Sequence, residues 1–190
     1  MSLVHAHRLI SEAEYLGQEV HAPFKSEYVA GEVFAMAGAS ERHNRIALNI
    51  AFHLRAASRG KTCRAFVADM RLRVELGPSY YCPDAMLVCD PTDADALHKS
   101  RPCFIAEVLS PATAAIDLRE KWLSYKGIES LRYYLVADSE RVFARLYTRA
   151  DEGWQEREVG AQDIVQIECG DTRLGLSQLD IYEDSGLIRH

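Results

Sequence analysis

Two short apolar runs, each interrupted by a single acid, limit what this chain can fold into. Cys82-Pro83-Asp84-Ala85-Met86-Leu87-Val88-Cys89 and Cys103-Phe104-Ile105-Ala106-Glu107-Val108-Leu109-Ser110 are apolar at nearly every other position. Neither alternates apolar with polar residues, so neither reads as a strand with one wet face; both read as central strands covered on both sides. An ionised carboxylate there costs several kcal/mol unless it is paired or binds a metal. Asp84 and Glu107, in consecutive runs, therefore call for a cation. A hard divalent ion, Mg²⁺ or Mn²⁺, takes one or two carboxylates together with water and phosphate oxygens, and two acids on adjacent strands supply that set. The alternative is that either acid sits at a strand end and meets solvent or an arginine.

The rest of the chain frames these runs. Residues 11–20 read as a short helix with Ser11 as N-cap and Glu14 at the capping-box position. Residues 25–37 read as a hairpin turning at Ala30-Gly31. A long helix opens at Ser40, carries Ile46, Ala47, Ile50, Ala51, Leu54 and Ala57 on one face, and ends before Gly60. Strands are expected at 62–74 (bent near Asp69), 80–89 and 102–109, a second helix at 113–126 with Leu118, Trp122 and Tyr125 inward, and strands at 131–137, 141–148 and 153–159. A short strand and turn follow near the C-terminus. With 190 residues and no repeat or linker, the expectation is one domain over 1–190. Its class is α/β (α+β), a mixed β-sheet flanked by helices.

Other charged residues fall where chemistry needs them. Lys121 lies about 60° from Leu118 on the second helix, at the edge of its apolar arc. Asp117, four residues earlier, can pair with it. Glu27 flanks the hairpin turn and is a candidate third acid, while Glu32 reads as a solvated hairpin charge. His43 faces inward at the start of the long helix. The formal net charge of −6 argues against nucleic acid as a partner, but residues 42–73 hold eight basic residues against one acid, Asp69. Arg42, Arg45, Arg71 and Arg73 belong to this block, which reads as one local positive surface or as a solvated helix face.

Five cysteines (Cys63, Cys82, Cys89, Cys103, Cys169) are odd in number and widely spaced without C-x-x-C. They indicate neither a disulfide framework nor a zinc knuckle and read as buried thiols. No stretch reaches the length of a membrane helix and no signal-peptide core is present, so the expectation is a cytoplasmic protein.

In order along the chain, the pattern is Glu27 with Gly31-Glu32, Ser40-x-x-His43, Asp69, Tyr81-Cys82-Pro83-Asp84, Glu107-Val108-Leu109-Ser110-Pro111-x-Thr113, Asp117 with Lys121 and Tyr125, then Tyr133-Tyr134-Leu135-Val136. It resembles the Uma family, a restriction-endonuclease group within the PD-(D/E)XK nuclease superfamily, over roughly residues 10–182. The resemblance implies a restriction-endonuclease-like core, a divalent metal on Asp84 and Glu107, and hydrolysis of a phosphodiester in DNA. The superfamily pattern places lysine two positions after the second acid, where this chain has Leu109; the family has its lysine on the following helix instead, which here is Lys121. On this reading Lys121 orients water and offsets developing charge, and Glu27 and His43 complete the surroundings. Arg42, Arg45, Arg71 and Arg73 hold backbone phosphates. The competing expectation is a nuclease fold kept only for binding nucleic acid or a protein. Strands near 141–159 with Phe143, Tyr147 and Trp154 suggest a homodimer.

Overall fold

A computed structural model describes residues 9–36, 38–75, 77–111 and 117–188, with the backbone alone at 117 and 118. Helix α1 (Glu12–Glu19) starts at Ser11, whose hydroxyl accepts from the Glu14 N–H while the Glu14 carboxylate accepts from the Ser11 N–H. Strands β1 (Ser26–Val29) and β2 (Glu32–Ala35) form the expected hairpin. Its two turn residues, Ala30 and Gly31, both have positive φ, 49° and 101°, which matches the twist of the flanking strands.

Helix α2 (Glu41–Ser58) is capped by Ser40 and buries Ile46, Ile50 and Leu54 completely. Burial of each such side chain contributes roughly 1.5–3 kcal/mol. Then come β3 (Arg64–Val67), β4 (Arg71–Val74), β5 (Ser79–Tyr81), β6 (Ala85–Val88), β7 (His98–Lys99) and β8 (Pro102–Leu109). A π-helical turn (Asp117–Lys121) leads into helix α3 (Trp122–Tyr125). The chain continues through β9 (Tyr133–Asp138), β10 (Ala144–Ala150), β11 (Gly153–Glu158), β12 (Ile164–Cys169), β13 (Thr172–Ser177) and helix α4 (Gln178–Tyr182). The first part of the expected helix at 113–126 lies outside the described residues.

The fold is of the expected mixed α+β class, its strands divided between two larger mixed sheets and a hairpin. One sheet has the order β11-β10-β9-β8-β6-β3, the second β2-β1-β5-β4-β7, and β12 pairs with β13. Within the first, β8 and β9 run parallel and the other pairs antiparallel. One face packs on α2, α4 and the β12–β13 hairpin, through Ile46, Leu54, Leu87, Phe104, Leu135 and Ile167. The opposite face packs on β4, β5 and α3, through Met86, Ile105, Leu72, Tyr81 and Tyr125. Strands β6, β8 and β9 are thus covered on both sides, as their unbroken apolar character demanded.

Two expected strands split because the chain changes sheet partway along each. The segment 62–74 turns at 68–70, with β3 in the first sheet and β4 in the second. The segment 80–89 breaks at Cys82-Pro83-Asp84, with β5 in the second sheet and β6 in the first. Asp84 therefore sits where the chain crosses between sheets.

The reading of the cysteines is corrected. Cys63 is bonded to Cys89 and Cys103 to Cys169, leaving Cys82 as a buried thiol. The pairs are 26 and 66 residues apart, so tertiary packing of the sheet and the β12–β13 hairpin brings them together. The rings of Tyr147 and Trp154 pack on Trp122 at 4.4 and 5.0 Å within this chain, and Trp154 keeps part of its surface exposed. No described helix is long and apolar enough to cross a membrane.

Candidate active site

Strand parity puts the two acids on one face. Along β8, Phe104, Ala106 and Val108 point into the α2 core while Ile105 and Leu109 point into the opposite one, and Glu107 shares their phase. Along β6, Met86 and Val88 point the same way, and Asp84 is in phase with them. The ladder pairs Ala85 with Ala106; continuing it by one residue sets Asp84 across from Glu107, a spacing of about 4.5–5.5 Å between Cβ atoms. The Val108 N–H donates to Asp84 Oδ2 at 2.7 Å and fixes that carboxylate beside its neighbour.

Glu27 arrives from the second sheet. It lies on β1 beside β5, and its Oε1 accepts from the Cys82 N–H at 3.0 Å and from Lys121 Nζ at 2.9 Å. Lys121 Nζ also reaches Glu107 Oε1 at 3.4 Å. The Tyr125 hydroxyl donates to the same oxygen at 2.8 Å. Lys121 is 6% exposed and Glu107 3%, so these charges meet where water screens them weakly. Lys121 ends the π turn, a helical irregularity that re-aims side chains, and Tyr125 follows four residues later on the same side. His43 completes the group from α2, with Nε2 3.5 Å from Asp84 Oδ2.

The five predicted residues Glu27, His43, Asp84, Glu107 and Lys121 are thus brought together from β1, α2, the β5–β6 crossing, β8 and the turn before α3. Lys121 meets Glu27 and Glu107; the side chain of Asp117, its expected partner, lies outside the described residues. Tyr125, read as an inward residue of the second helix and as part of the family pattern but given no role, bonds Glu107. Burial, together with the charges of Glu107 and Glu27, holds its phenol well above the ordinary range. Burial and the charge of Glu27 likewise push the Cys82 thiol up to about 11. Neither group ionises near neutrality. The site is therefore a set of carboxylate oxygens with one imidazole, one ammonium and one phenol, and its carboxylates fit a hard divalent cation.

The basic block is divided. Arg42 donates to Glu140 at 3.0 Å and Arg45 to Glu41 at 3.0 Å, at the start of α2 next to His43. Arg71 donates to Glu19 at 2.6 Å and Arg73 to Glu12 at 2.8 Å, on β4 beneath α1. The expected single positive surface is corrected accordingly: each of these arginines has a carboxylate beside it, and they lie on two different elements. A groove of about 630 Å³ lies along Ser40, Arg42, Arg45, Glu140 and Asp184. It borders His43 in sequence but is lined by neither Asp84 nor Glu107.

A mixed sheet covered on both faces, with acids at the end where β6 begins and β8 finishes, defines a restriction-endonuclease-like fold. A solved structure from Anabaena variabilis, described as a "putative nuclease belonging to DUF820", shares it with a TM-score of 0.71 at 16% identity, covering 91% of this chain and 97% of that one. Residues 12–177 match the Uma2 family model, "Putative restriction endonuclease", and the chain belongs to that family. Two Synechocystis proteins are similar. The uncharacterized protein sll1609 is 36% identical over 73% of this chain and 80% of its own length; slr1290, also uncharacterized, is 31% identical over 88% and 87%.

Proposed function

We propose that this protein is a metal-dependent endonuclease that hydrolyses phosphodiester bonds in DNA. The observation that carries the reading is the placement of one buried ammonium, Lys121, against acids from two sheets, Glu27 and Glu107, beside Asp84. Asp84 and Glu107 would hold a divalent ion, Mg²⁺ or Mn²⁺, which when bound supplies positive charge to the scissile phosphate and favours hydroxide over water. Lys121 replaces the lysine that the superfamily pattern puts at Leu109; Leu109 is buried in the apolar core and offers no charge. The Lys121 ammonium holds the attacking water by donating to it and offsets negative charge as the phosphorus becomes five-coordinate. Glu27 aims that ammonium, and Tyr125 fixes the Glu107 carboxylate in one orientation. His43, with Nε2 3.5 Å from Asp84 Oδ2, flanks that carboxylate.

Arg42 and Arg45, beside His43 and the groove, are the proposed phosphate contacts. The test is cleavage of plasmid and linear DNA with Mg²⁺ or Mn²⁺: the wild type is expected to cut, chelation to stop it, and Asp84→Ala and Glu107→Ala to abolish it. A folded wild type that cuts neither DNA nor RNA with either metal would overturn the assignment.

A second reading, a binding module without catalysis, is favoured by Leu109 and by the carboxylate partners of the four arginines. Calorimetric titration with Mn²⁺ separates the two, because only the nuclease reading requires heat that vanishes in Asp84→Ala.

A further inference from the structure

Four cysteines meet on the far side of the six-stranded sheet from the carboxylates. Cys63 precedes β3, Cys89 follows β6, Cys103 lies near the start of β8 and Cys169 ends β12. The sulfurs of Cys89, Cys103 and Cys169 all lie within 4.8 Å of one another. Cys63 Sγ is bonded to that of Cys89 and lies 3.1 Å from the Cys169 carbonyl oxygen. Both disulfides of the chain are therefore in one place, and they tie together the edge of the sheet and the β12–β13 hairpin. The turn after Cys169 is closed by Gly170, whose φ of +53° suits a residue without a side chain; a Cβ there would stand 3.4 Å from Cys63 Sγ. Asp171, next in the turn, accepts from the Thr62 N–H and hydroxyl at 3.0 and 3.1 Å, fixing the Cys63 loop to the Cys169 loop.

We propose that this cluster, when reduced, is a zinc site with Cys63, Cys89, Cys103 and Cys169 as its four ligands, and that the two disulfides are its oxidised, metal-free form. Zinc takes four thiolates tetrahedrally with bonds of about 2.3 Å, which places neighbouring sulfurs about 3.8 Å apart. The sulfurs of Cys89, Cys103 and Cys169 already lie within 4.8 Å of one another, and Cys63, released from Cys89 on reduction, supplies the fourth. Four soft sulfur donors, with the Asp171 carboxylate 3.7 Å from Cys63 Sγ, select zinc over the hard ions suited to Asp84 and Glu107. Cys63, Cys103 and Cys169 are buried, and partly exposed Cys89 provides the entrance. The reducing setting rests on the nuclease reading, since disulfides open in compartments where cellular DNA is cut. There a cellular dithiol reduces each bridge, two electrons passing per bridge as the dithiol becomes a disulfide and two cysteine thiols form. Binding then breaks four S–H bonds, forms four Zn–S bonds and releases four protons to solvent.

The full chain, reduced anaerobically with a trialkylphosphine and desalted, is titrated with Co²⁺ and then Zn²⁺. The expected result is one equivalent of cobalt with the intense visible bands and sulfur charge-transfer absorption of a tetrahedral thiolate site, lost when zinc displaces it. Cys89→Ser should weaken binding at least about tenfold. If that variant does not fold, alkylation of the wild type decides, with four fewer cysteines modified when zinc is present. Absence of thiolate bands, or equal alkylation with and without zinc, overturns the proposal. The bands are expected unchanged in the Asp84→Ala/Glu107→Ala chain, so the zinc site and the nuclease reading fail or stand separately.

Discussion

The Lys121 ammonium lies 2.9 Å from Glu27 Oε1, joining the residue that ends the π turn to a strand of the five-stranded sheet. Glu107 of the other sheet is 3.4 Å from the same nitrogen. One cation thus holds together acids that would otherwise repel across the seam between the sheets. A buried pair of this kind adds little to stability when intact and costs much when one partner is removed.

Lys121→Met is expected to lower unfolding free energy by about 3–5 kcal/mol and to abolish cleavage. Adding Glu27→Gln should recover part of the stability, since it removes one of the stranded charges, but none of the cleavage. Chemical denaturation of the single variants and the pair measures the coupling. Simple additivity would show that Lys121 and Glu27 do not act as a unit.

The parts of this site that were legible in sequence are those with local signatures. Asp84 and Glu107 stand out because an acid in an unbroken apolar run is costly wherever the run folds, and the hairpin, the caps at Ser11 and Ser40 and the face of α2 follow from short-range patterns. Lys121 was legible from helix phase and from the family resemblance. What stayed hidden depends on tertiary geometry. The break between β5 and β6 at Asp84 cannot be told from a continuous strand by apolarity alone. Cys103 and Cys169 meet only because β8 and the β12–β13 hairpin pack together. The partners of Arg71 and Arg73 come from α1, more than fifty residues away, so the charge of the block could be counted but not its pairing.

Tyr125 should govern part of the alkaline limit. Its phenol is held above the ordinary value near 10, so above that pH the unfolded chain loses this proton while the folded chain keeps it. Stability supplied by the shift is complete below pH 10 and falls as pH rises toward the folded value. Tyr125→Phe is expected to cost about 1.5–3 kcal/mol near neutrality through loss of the bond to charged Glu107, and to flatten the alkaline decline. Denaturation midpoints from neutral pH upward test this; an equally steep decline in both proteins would exclude Tyr125 as a source.

At the acid limit the contact to watch is Glu12 with Arg73. Hydrogen bonds from Arg73 and Tyr80 hold the Glu12 carboxyl below its usual 4.5. The folded chain therefore binds fewer protons there than the unfolded one. The resulting stability is present above the ordinary carboxylate range and is lost as pH falls through the lower, folded value. Glu12→Gln should show a shallower acid decline with little change in cleavage, and circular dichroism between neutral pH and pH 3 measures the difference.

The divided arginines make a test of DNA binding that separates contact from scaffold. Arg42 and Arg45 have side chains 38% and 48% exposed at the start of α2, whereas that of Arg71 is 18% exposed and its partner Glu19 only 6%. An exposed pair is worth little and can exchange a carboxylate for a phosphate; a pair packed under α1 cannot do so without undocking the helix. In a Glu107→Gln background that prevents cutting, Arg42→Gln and Arg45→Gln are each expected to reduce the slope of log affinity against log salt by about 0.9, with stability within about 0.5 kcal/mol of the parent. Arg71→Gln should leave the slope unchanged and destabilise the fold by about 3–5 kcal/mol, because Glu19 remains buried without its cation. Fluorescence anisotropy on a short duplex across a salt series, paired with denaturation, reads both quantities. A slope that falls with Arg71→Gln in a chain of undiminished stability would move the phosphate path from α2 to β4.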